Sequence, residues 1–364
     1  MSSVSIVIPF HSNINYLFSC LASLEPGLSD DDEIIVVVND DLLDESLGFE
    51  AYPRVKPIYF TEVLGYSKAC NIGARSARGD FLFFCDTDTL TVTPHALNAH
   101  RAEFHTARDV GATSSLLLSP ATAHVHDFGL GWSGHNIIHP FRFAHPSDPR
   151  VRTSRYVQMA CSAHMMTPRS VFLQLGGFDE GLRHYYQDTD YCVRLKDLSL
   201  GVRVVPAARA FHRGSSASIN RAAFRADDRA VFTAKNLKRL RRDYEDYLEE
   251  SLGAWSPDAA RRAFYNVAIL STIYDPQQIL EPISRRVDLR PYCSRRMPER
   301  DLPRVDLFDE LGRSAALLPD PFLFVVDRVS ALPFNAIWHH LRGERGDVAV
   351  DRNGEFRPTR ELFL

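Results

Sequence analysis

Several common signatures are missing from this chain of 364 residues. Its cysteines, at positions 20, 70, 85, 161, 192 and 293, form no CxxC pair, so neither a zinc ribbon nor a dithiol-redox motif is indicated. Most of them sit inside apolar runs, where cysteine acts as a small buried hydrophobe. A chain of this size needs no disulfide staples, and such thiols point to a reducing compartment. No run of roughly 18 uncharged apolar residues occurs, so no transmembrane segment is expected. The opening MSSVSIVIPF has no basic region and meets Pro9 early; it reads as a strand rather than a secretory leader. A cytoplasmic location is the expectation. Basic excess is absent too: Lys+Arg number 42 against 46 Asp+Glu, a net charge of −4. That excludes a broad nucleic-acid-binding face. Neither an internal repeat nor a low-complexity tract is present.

What is there is an ordinary globular composition, 45% hydrophobic and 24% charged, with length for one large or two medium domains. The first third alternates strand and helix signals. VSIVIPF (4–10), EIIVVVND (33–40), VKPIYF (55–60), DFLFFCDTD (80–88) and GATSSLLL (111–118) read as buried strands. Ser12 or Asn13 can cap a helix to about Leu24. YSKACNIGARSA (66–77) is a second helix that Gly79 can close, and Thr93-Pro94 can start a third. Such alternation predicts an α/β domain with a mainly parallel sheet covered by helices. Ligands then bind beyond the carboxyl ends of the strands, where His11, Asn39-Asp40 and Asp86-Thr87-Asp88 should gather. Further on, 156–166 can be a strand, 187–201 a helix closed by Gly201, and 202–213 two short strands broken by Pro206. From about residue 216 a long charged amphipathic helix or helix pair is expected, followed over 256–364 by helical segments between proline-rich pieces. The apolar stretch 320–341 is broken by Asp327, Arg328 and Pro333, which favours core packing over membrane contact.

The residues that could carry chemistry are acidic. Asp86 and Asp88 flank Thr87 directly after an apolar strand. Carboxylates so placed can hold Mg²⁺ or Mn²⁺ through hard oxygen ligands, or form a solvated turn with local hydrogen bonds. Asp188 and Asp190 open the helix at 187. They can complement its dipole, or Asp188 can face a pocket as a general base. His212, after a strand, is a core or surface residue unless its strand end returns to the D-x-D edge, where it would complete a metal shell. Arg213 and the small turn after it would then face phosphate. The basic run KNLKRLRR (235–242) reads as a solvated helix face.

In order and spacing these blocks resemble the inverting family 2 glycosyltransferases of the GT-A fold. VSIVIPFHSN is similar to the opening strand and nucleotide-contacting turn of that family. DEIIVVVND resembles its second strand, and GYSKACNIGARSARGDFLFFCDTD the stretch from an Asn-x-Gly helix to the D-x-D. GGFDEGLRHYYQDTDYCVRLKDLSLGVRVVPAARAFHRGSS resembles the acceptor-side block that ends in a metal-binding histidine. The resemblance covers about residues 1–215. It implies a GT-A, Rossmann-like catalytic domain there, with 216–364 as a mainly helical extension for acceptor, oligomer or partner contacts.

Residue by residue, the resemblance implies that Pro9, Phe10, His11, Asn39, Asn71, Asp86 and Thr87 contact the nucleotide. Asp88 and His212, with Asp86, would hold Mn²⁺ or Mg²⁺, and Asp188 would be the base. Asn39 stands where the family has an aspartate that reads uracil; its carbonyl can still accept from an imide N–H. Cys70 occupies an often basic position, so a phosphate contact is lost or supplied by Lys68. Gln187 replaces a glutamate, which bears on sugar recognition. The expected activity is transfer of a hexose-type sugar from a nucleoside-diphosphate donor, UDP- or dTDP-linked, to a hydroxyl acceptor: a glycan, a lipid-linked group or a small molecule. Neither nucleic acid nor a transmembrane segment is expected, and the C-terminal helices could pair copies of the chain. Rivals are a retaining transferase of the same fold and a catalytically silent nucleotide-sugar-binding subunit. A sugar-phosphate nucleotidyltransferase would have a glycine-rich loop where this chain has PFHSNIN.

Overall fold

A computed structural model describes residues 2–39, 47–120, 123–132, 137–142, 144, 146–182, 185–214, 219–243, 246–247, 250, 264–271, 280–281, 284, 288–296, 322–326, 348–351 and 356–358. The chain divides into two compact units, Met1–Leu130 with Ala144–Arg241, and Gly131–Phe143 with Arg242–Leu364. It opens with β1 (Val4–Phe10), α1 (Ile14–Leu24), β2 (Glu33–Asn39), β3 (Val55–Phe60), α2 (Tyr66–Ser76), β4 (Phe81–Cys85), the short β5 (Thr89–Thr91), α3 (Ala96–Thr106) and β6 (Val110–Leu118). Then come β7 (Val125–Asp127), the β8–β9 ribbon (Gly131–Trp132 and Ile137–Ile138), β10 (Arg155–Val157), β11 (His164–Pro168), α4 (Arg169–Gln174), α5 (Gln187–Arg194), β12 (Gly201–His212) and α6 (Ile219–Asn236).

In the first unit one mixed sheet has the order β10-β12-β6-β11-β4-β1-β2-β3, with β5 on β12 and β7 on β6. β1, β2, β3 and β4 run parallel. β11 is antiparallel to both β4 and β6, and β12 is parallel to β6. Six strands, β1 to β4 with β6 and β12, therefore point their carboxyl ends to one edge. β2, β4 and β6 are buried along their whole length, which is why they read as continuous apolar or small-residue runs rather than alternating ones. α1 buries Leu17, Cys20, Leu21 and Leu24, and Asn13 caps it with its side chain accepting from the Tyr16 N–H at 3.3 Å. α2 lies close on the sheet: a Cβ at Gly73 would stand 2.4 Å from Val7 Cγ1.

Several local expectations change. Segment 202–213 is one strand, not two; Pro206 causes a register shift against β6 between Val205 and Arg209. Proline cannot donate to the ladder, so the strand bulges there and continues. Ser199, at φ 56°, ends the helical stretch after α5, and Gly201 already begins β12. Gly79 does not close α2, whose cap is the extended Ala77. Its N–H instead donates to Ser5 Oγ at 2.8 Å, and a Cβ would meet Ser5 N at 2.6 Å. Within 156–166 only the ends are extended, in β10 and β11. α3 starts at Ala96, and the Thr93 side chain accepts from the Arg209 N–H at 2.9 Å. Of the expected helix or helix pair, α6 ends at Asn236, where Leu237 is 57% exposed, and residues 246, 247 and 250 are again helical.

In the second unit most described residues of 256–364 lie in strands that the expectation of helical segments did not include, with helix at 280, 281 and 284. Its described residues include β13 (Phe264–Ser271), β14 (Asp288–Arg296), β15 (Phe322–Val326), β16 (Val348–Asp351) and β17 (Phe356–Pro358), in the order β14-β13-β15-β16-β17. Only the β16–β17 pairing is antiparallel. FYNVAILS, FLFVV and VAVD are short β-branched and aromatic runs, which suit strands. Leu323 and Val325 are buried. Among the described residues no helix is long and apolar enough to cross a membrane.

Candidate functional site

The shared carboxyl edge of the first unit opens into a cleft of about 650 Å³. His11 follows β1, Asn39 ends β2, Asp86 follows β4 and His212 ends β12; all four line the cleft. β11 runs the other way, so its leading residues, Cys161 and Ser162, reach the same edge. Asp188, in the first turn of α5, faces the cleft beside them.

Asp86-Thr87-Asp88 forms a tight turn held from behind. The Asp86 N–H donates to Ala163 O at 3.0 Å, and Thr89 returns to Asp86 O through its N–H at 3.1 Å and its hydroxyl at 2.6 Å. Cys20 and Cys85 lie beneath with sulfurs 3.6 Å apart, both buried thiols. β5 then pairs with β12, setting Thr89 opposite His212. The bulge at Pro206 thus lets one strand pack on β6 and still return its end to the acidic turn. His212 Nε2 is 3.4 Å from Asp88 Oδ1 and 3.8 Å from Asp86 Oδ2. One donor atom from each of the three residues lies within 4.8 Å of the others.

The electrostatics are those of a site short of positive charge. Burial, then the charge of Asp88, raises the Asp86 carboxyl to about 6, against the pull of His212 and the Tyr66 hydroxyl. Burial also raises Asp188, although the N–H groups of Ser162 and Thr189 oppose it. For His212 burial works against protonation, but the hydrogen bond and charge of Asp88, with Asp86 and Asp127, win and move it upward. Two carboxylates and an imidazole converging in a half-buried turn fit a divalent cation, which would relieve their mutual repulsion. Two buried polar atoms, His212 Nδ1 and Gln187 Oε1, have no hydrogen-bond partner among the described residues.

Of the residues expected at a nucleotide site, Pro9, His11, Asn39, Asp86 and Thr87 line the cleft. Phe10 and Asn71 do not. Phe10 is fully buried in the core, and its carbonyl accepts from Asn39 Nδ2 at 2.8 Å. Asn71 is spent on architecture: its amide donates to Phe178 O at 2.8 Å and accepts from Phe178 N–H at 2.9 Å, tying α2 to the following loop. Lys68 pairs with Glu62 at the surface and does not replace the charge absent at the buried Cys70. Arg213 is exposed and donates to the Tyr16 hydroxyl at 2.6 Å. Asp40 and the serines after Gly214 lie outside the described residues.

Other residues in and around the cleft escaped the sequence reading. Tyr66 and Ser162 line it. Asp127, 2% exposed on β7, adds its charge to the surroundings of Asp188 and His212, and His126 meets His212 edge-on at 5.2 Å between ring centres. Nothing in their local sequence marks them, since β7 comes beside the site through its pairing with β6.

Residues 5–116 match the family model described as glycosyl transferase family 2. No curated protein matches the chain. Among solved structures the chain is similar to GalNAc-T7 with UDP, GalNAc and Mn²⁺, at 15% identity and a TM-score of 0.50, over 80% of this chain. It spans 55% of the length of that structure. It also aligns with the mannosyltransferase PcManGT from Pyrobaculum calidifontis in complex with GDP-Man and Mn²⁺, at 14% identity and a TM-score of 0.48, over 86% of this chain and 80% of that one.

Proposed function

We propose, from the match of residues 5–116 to glycosyl transferase family 2, that the chain transfers a sugar from a nucleoside-diphosphate donor to a hydroxyl acceptor with inversion. The observation that carries this reading is the convergence of Asp86, Asp88 and His212 in the same cleft as a half-buried carboxylate, Asp188. Asp86, Asp88 and His212 would hold the cation. Mn²⁺ suits this set better than Mg²⁺, which favours oxygen ligands and retains its waters. Bound there, the metal supplies charge stabilisation for a departing diphosphate.

Asp188 is the base. The Ser162 N–H donates to its Oδ2 at 3.0 Å and the Thr189 N–H to its Oδ1 at 2.8 Å, which fixes the carboxylate while leaving lone pairs for a substrate. Burial raises its proton affinity, as a base needs. It takes the acceptor proton as the acceptor oxygen bonds to the anomeric carbon and the bond to the diphosphate breaks. At the other end of the cleft, Asn39 spends Nδ2 on Phe10 O, so its side-chain oxygen is left to accept from a base N–H. Its main-chain oxygen receives His11 Nδ1 at 3.0 Å. A carbonyl can only accept, so the His11 proton is on Nδ1. This acceptor oxygen favours an imide N–H, as in UDP or dTDP donors; the UDP of GalNAc-T7 is of that class.

The test is incubation of purified protein with a panel of sugar nucleotides and Mn²⁺. Release of UDP or dTDP together with a product of inverted anomeric configuration is the expected result. A retained configuration would overturn the inverting assignment, and no turnover with any donor would overturn the function.

A further inference from the structure

Tyr66 and Ser162 bridge the two acidic parts of the cleft. The Tyr66 hydroxyl donates to Asp86 Oδ1 at 2.8 Å and lies 3.1 Å from Ser162 Oγ. Ser162 reaches Asp188 Oδ2 with its N–H at 3.0 Å and its hydroxyl at 3.5 Å. Both side chains line the cleft. A carboxylate on the proposed cation is thus joined to the proposed base through the Tyr66 hydroxyl and the hydroxyl and N–H of Ser162.

Each member is fixed independently. Tyr66 is the first residue of α2, entered through Gly65 at φ 78°. The next residue, Ser67, donates its hydroxyl to Leu182 O at 2.6 Å, and Asn71 binds the same loop at Phe178. Ser162 stands beside Ala163, whose carbonyl receives the Asp86 N–H at 3.0 Å. Packing alone does not call for the phenol oxygen, because a phenylalanine would keep the ring contact with Phe178 at 6.4 Å between centres. The proton of Tyr66 is committed to Asp86, which has only acceptors when ionised. The single Ser162 proton therefore turns to Tyr66 or to Asp188.

We infer that Tyr66 and Ser162 are positioning residues: they tie Asp86 to Asp188, so that the donor's departing end and the acceptor hydroxyl are held in one register. This rests on the function proposed above for Asp86 and Asp188. Neither hydroxyl takes a proton from the acceptor or contacts the anomeric carbon. Misplacing a reacting group by a fraction of an ångström is costly in rate while leaving ligand affinity nearly untouched.

The experiment compares wild type, Tyr66→Phe, Ser162→Ala, the double variant and Ser162→Thr. Affinity for UDP with Mn²⁺ is measured by titration calorimetry, kcat by transfer, and stability by urea unfolding. The expected result is a roughly tenfold fall in kcat for each single removal. The double variant falls no further, Ser162→Thr recovers most of the rate, and UDP–Mn²⁺ affinity stays within about threefold throughout. Wild-type kcat in the single variants, multiplying losses in the double, or affinity falling in step with kcat would overturn the inference. Urea unfolding reads the link without turnover: losses smaller than additive in the double variant support it, and additive losses overturn it. A wild-type protein that turns over no donor would instead sink the proposed function, a result separate from the unfolding cycle.

Discussion

At Asp86 burial and the neighbouring charge of Asp88 hold the carboxyl proton up to about pH 6. A cation must displace that proton before it can bind. The expected outcome is that Mn²⁺ affinity falls as pH drops towards and through 6 and that protons are released on binding, because the Asp86 proton and the upward-moved His212 proton must both leave; a pH-independent affinity from calorimetry between pH 5 and 8 would contradict it. At Asp188 the structure supplies two backbone donors and a half-buried setting. Asp188→Asn keeps the shape and loses the base. Transfer should drop by about 10²–10⁴-fold while binding of UDP with Mn²⁺ survives; comparable kcat in the variant would remove the base assignment. Asp86, Asp88, Asp188 and His212 were legible as candidates because polar residues at strand and helix ends after apolar runs have few structural reasons to be there. Tyr66, Ser162 and Asp127 were not, since a Tyr opening a helix or a Ser in a turn looks the same with or without a partner from a distant segment.

At the scale of elements, Glu33 shows how the sheet is clamped at the edge away from the cleft. Its carboxylate receives Ser5 Oγ at 2.7 Å, the Arg78 N–H at 2.8 Å and Lys56 Nζ at 2.5 Å, joining β1, β2, β3 and the turn before β4. Burial alone would raise the proton affinity, but these bonds outweigh it and lower the carboxyl from 4.5 to about 2. A depressed carboxyl stabilises the fold above its ordinary pKa and loses that contribution as pH falls. Wild type should therefore lose stability between about pH 4.5 and 2. Glu33→Gln should be less stable by about 1–3 kcal/mol at pH 7 and less sensitive over that window, as read by urea midpoints. Equal acid sensitivity of both proteins would discount the clamp. Strand existence was readable from continuous β-branched runs, whereas boundaries were not. Pro206 signalled a break in sequence, but the fold absorbs it as a bulge because a long strand there gains pairing with β6, β10 and β5 at once.

For the molecule as a whole, donor and cation should act on the first unit as one ligand. UDP with Mn²⁺ at about 100 times the dissociation constant should stabilise it by about 2.7 kcal/mol, a rise in its unfolding midpoint of roughly 5–10 °C. Excess chelator should remove both this shift and transfer, and added Mn²⁺ should restore them. An unchanged midpoint with UDP and Mn²⁺ would show that the cleft does not take this pair. The mainly parallel five-stranded sheet among the described residues of the second unit was not legible, because its short apolar runs lie far apart between charged, proline-bearing segments, and such runs have no period long enough to tell a strand from a buried helix turn. The sequence by itself determined the alternating α/β plan of the first unit and the acidic residues at its strand ends, because apolar periodicity and charge placement are local properties. Only the tertiary structure decided that His212 meets Asp86 and Asp88, that Asn71 and Phe10 serve the core rather than the cleft, and that Tyr66 and Ser162 join Asp86 to Asp188. Those facts depend on which strand ends the sheet order brings together, and pairing between segments far apart in the chain leaves no periodic trace in either one.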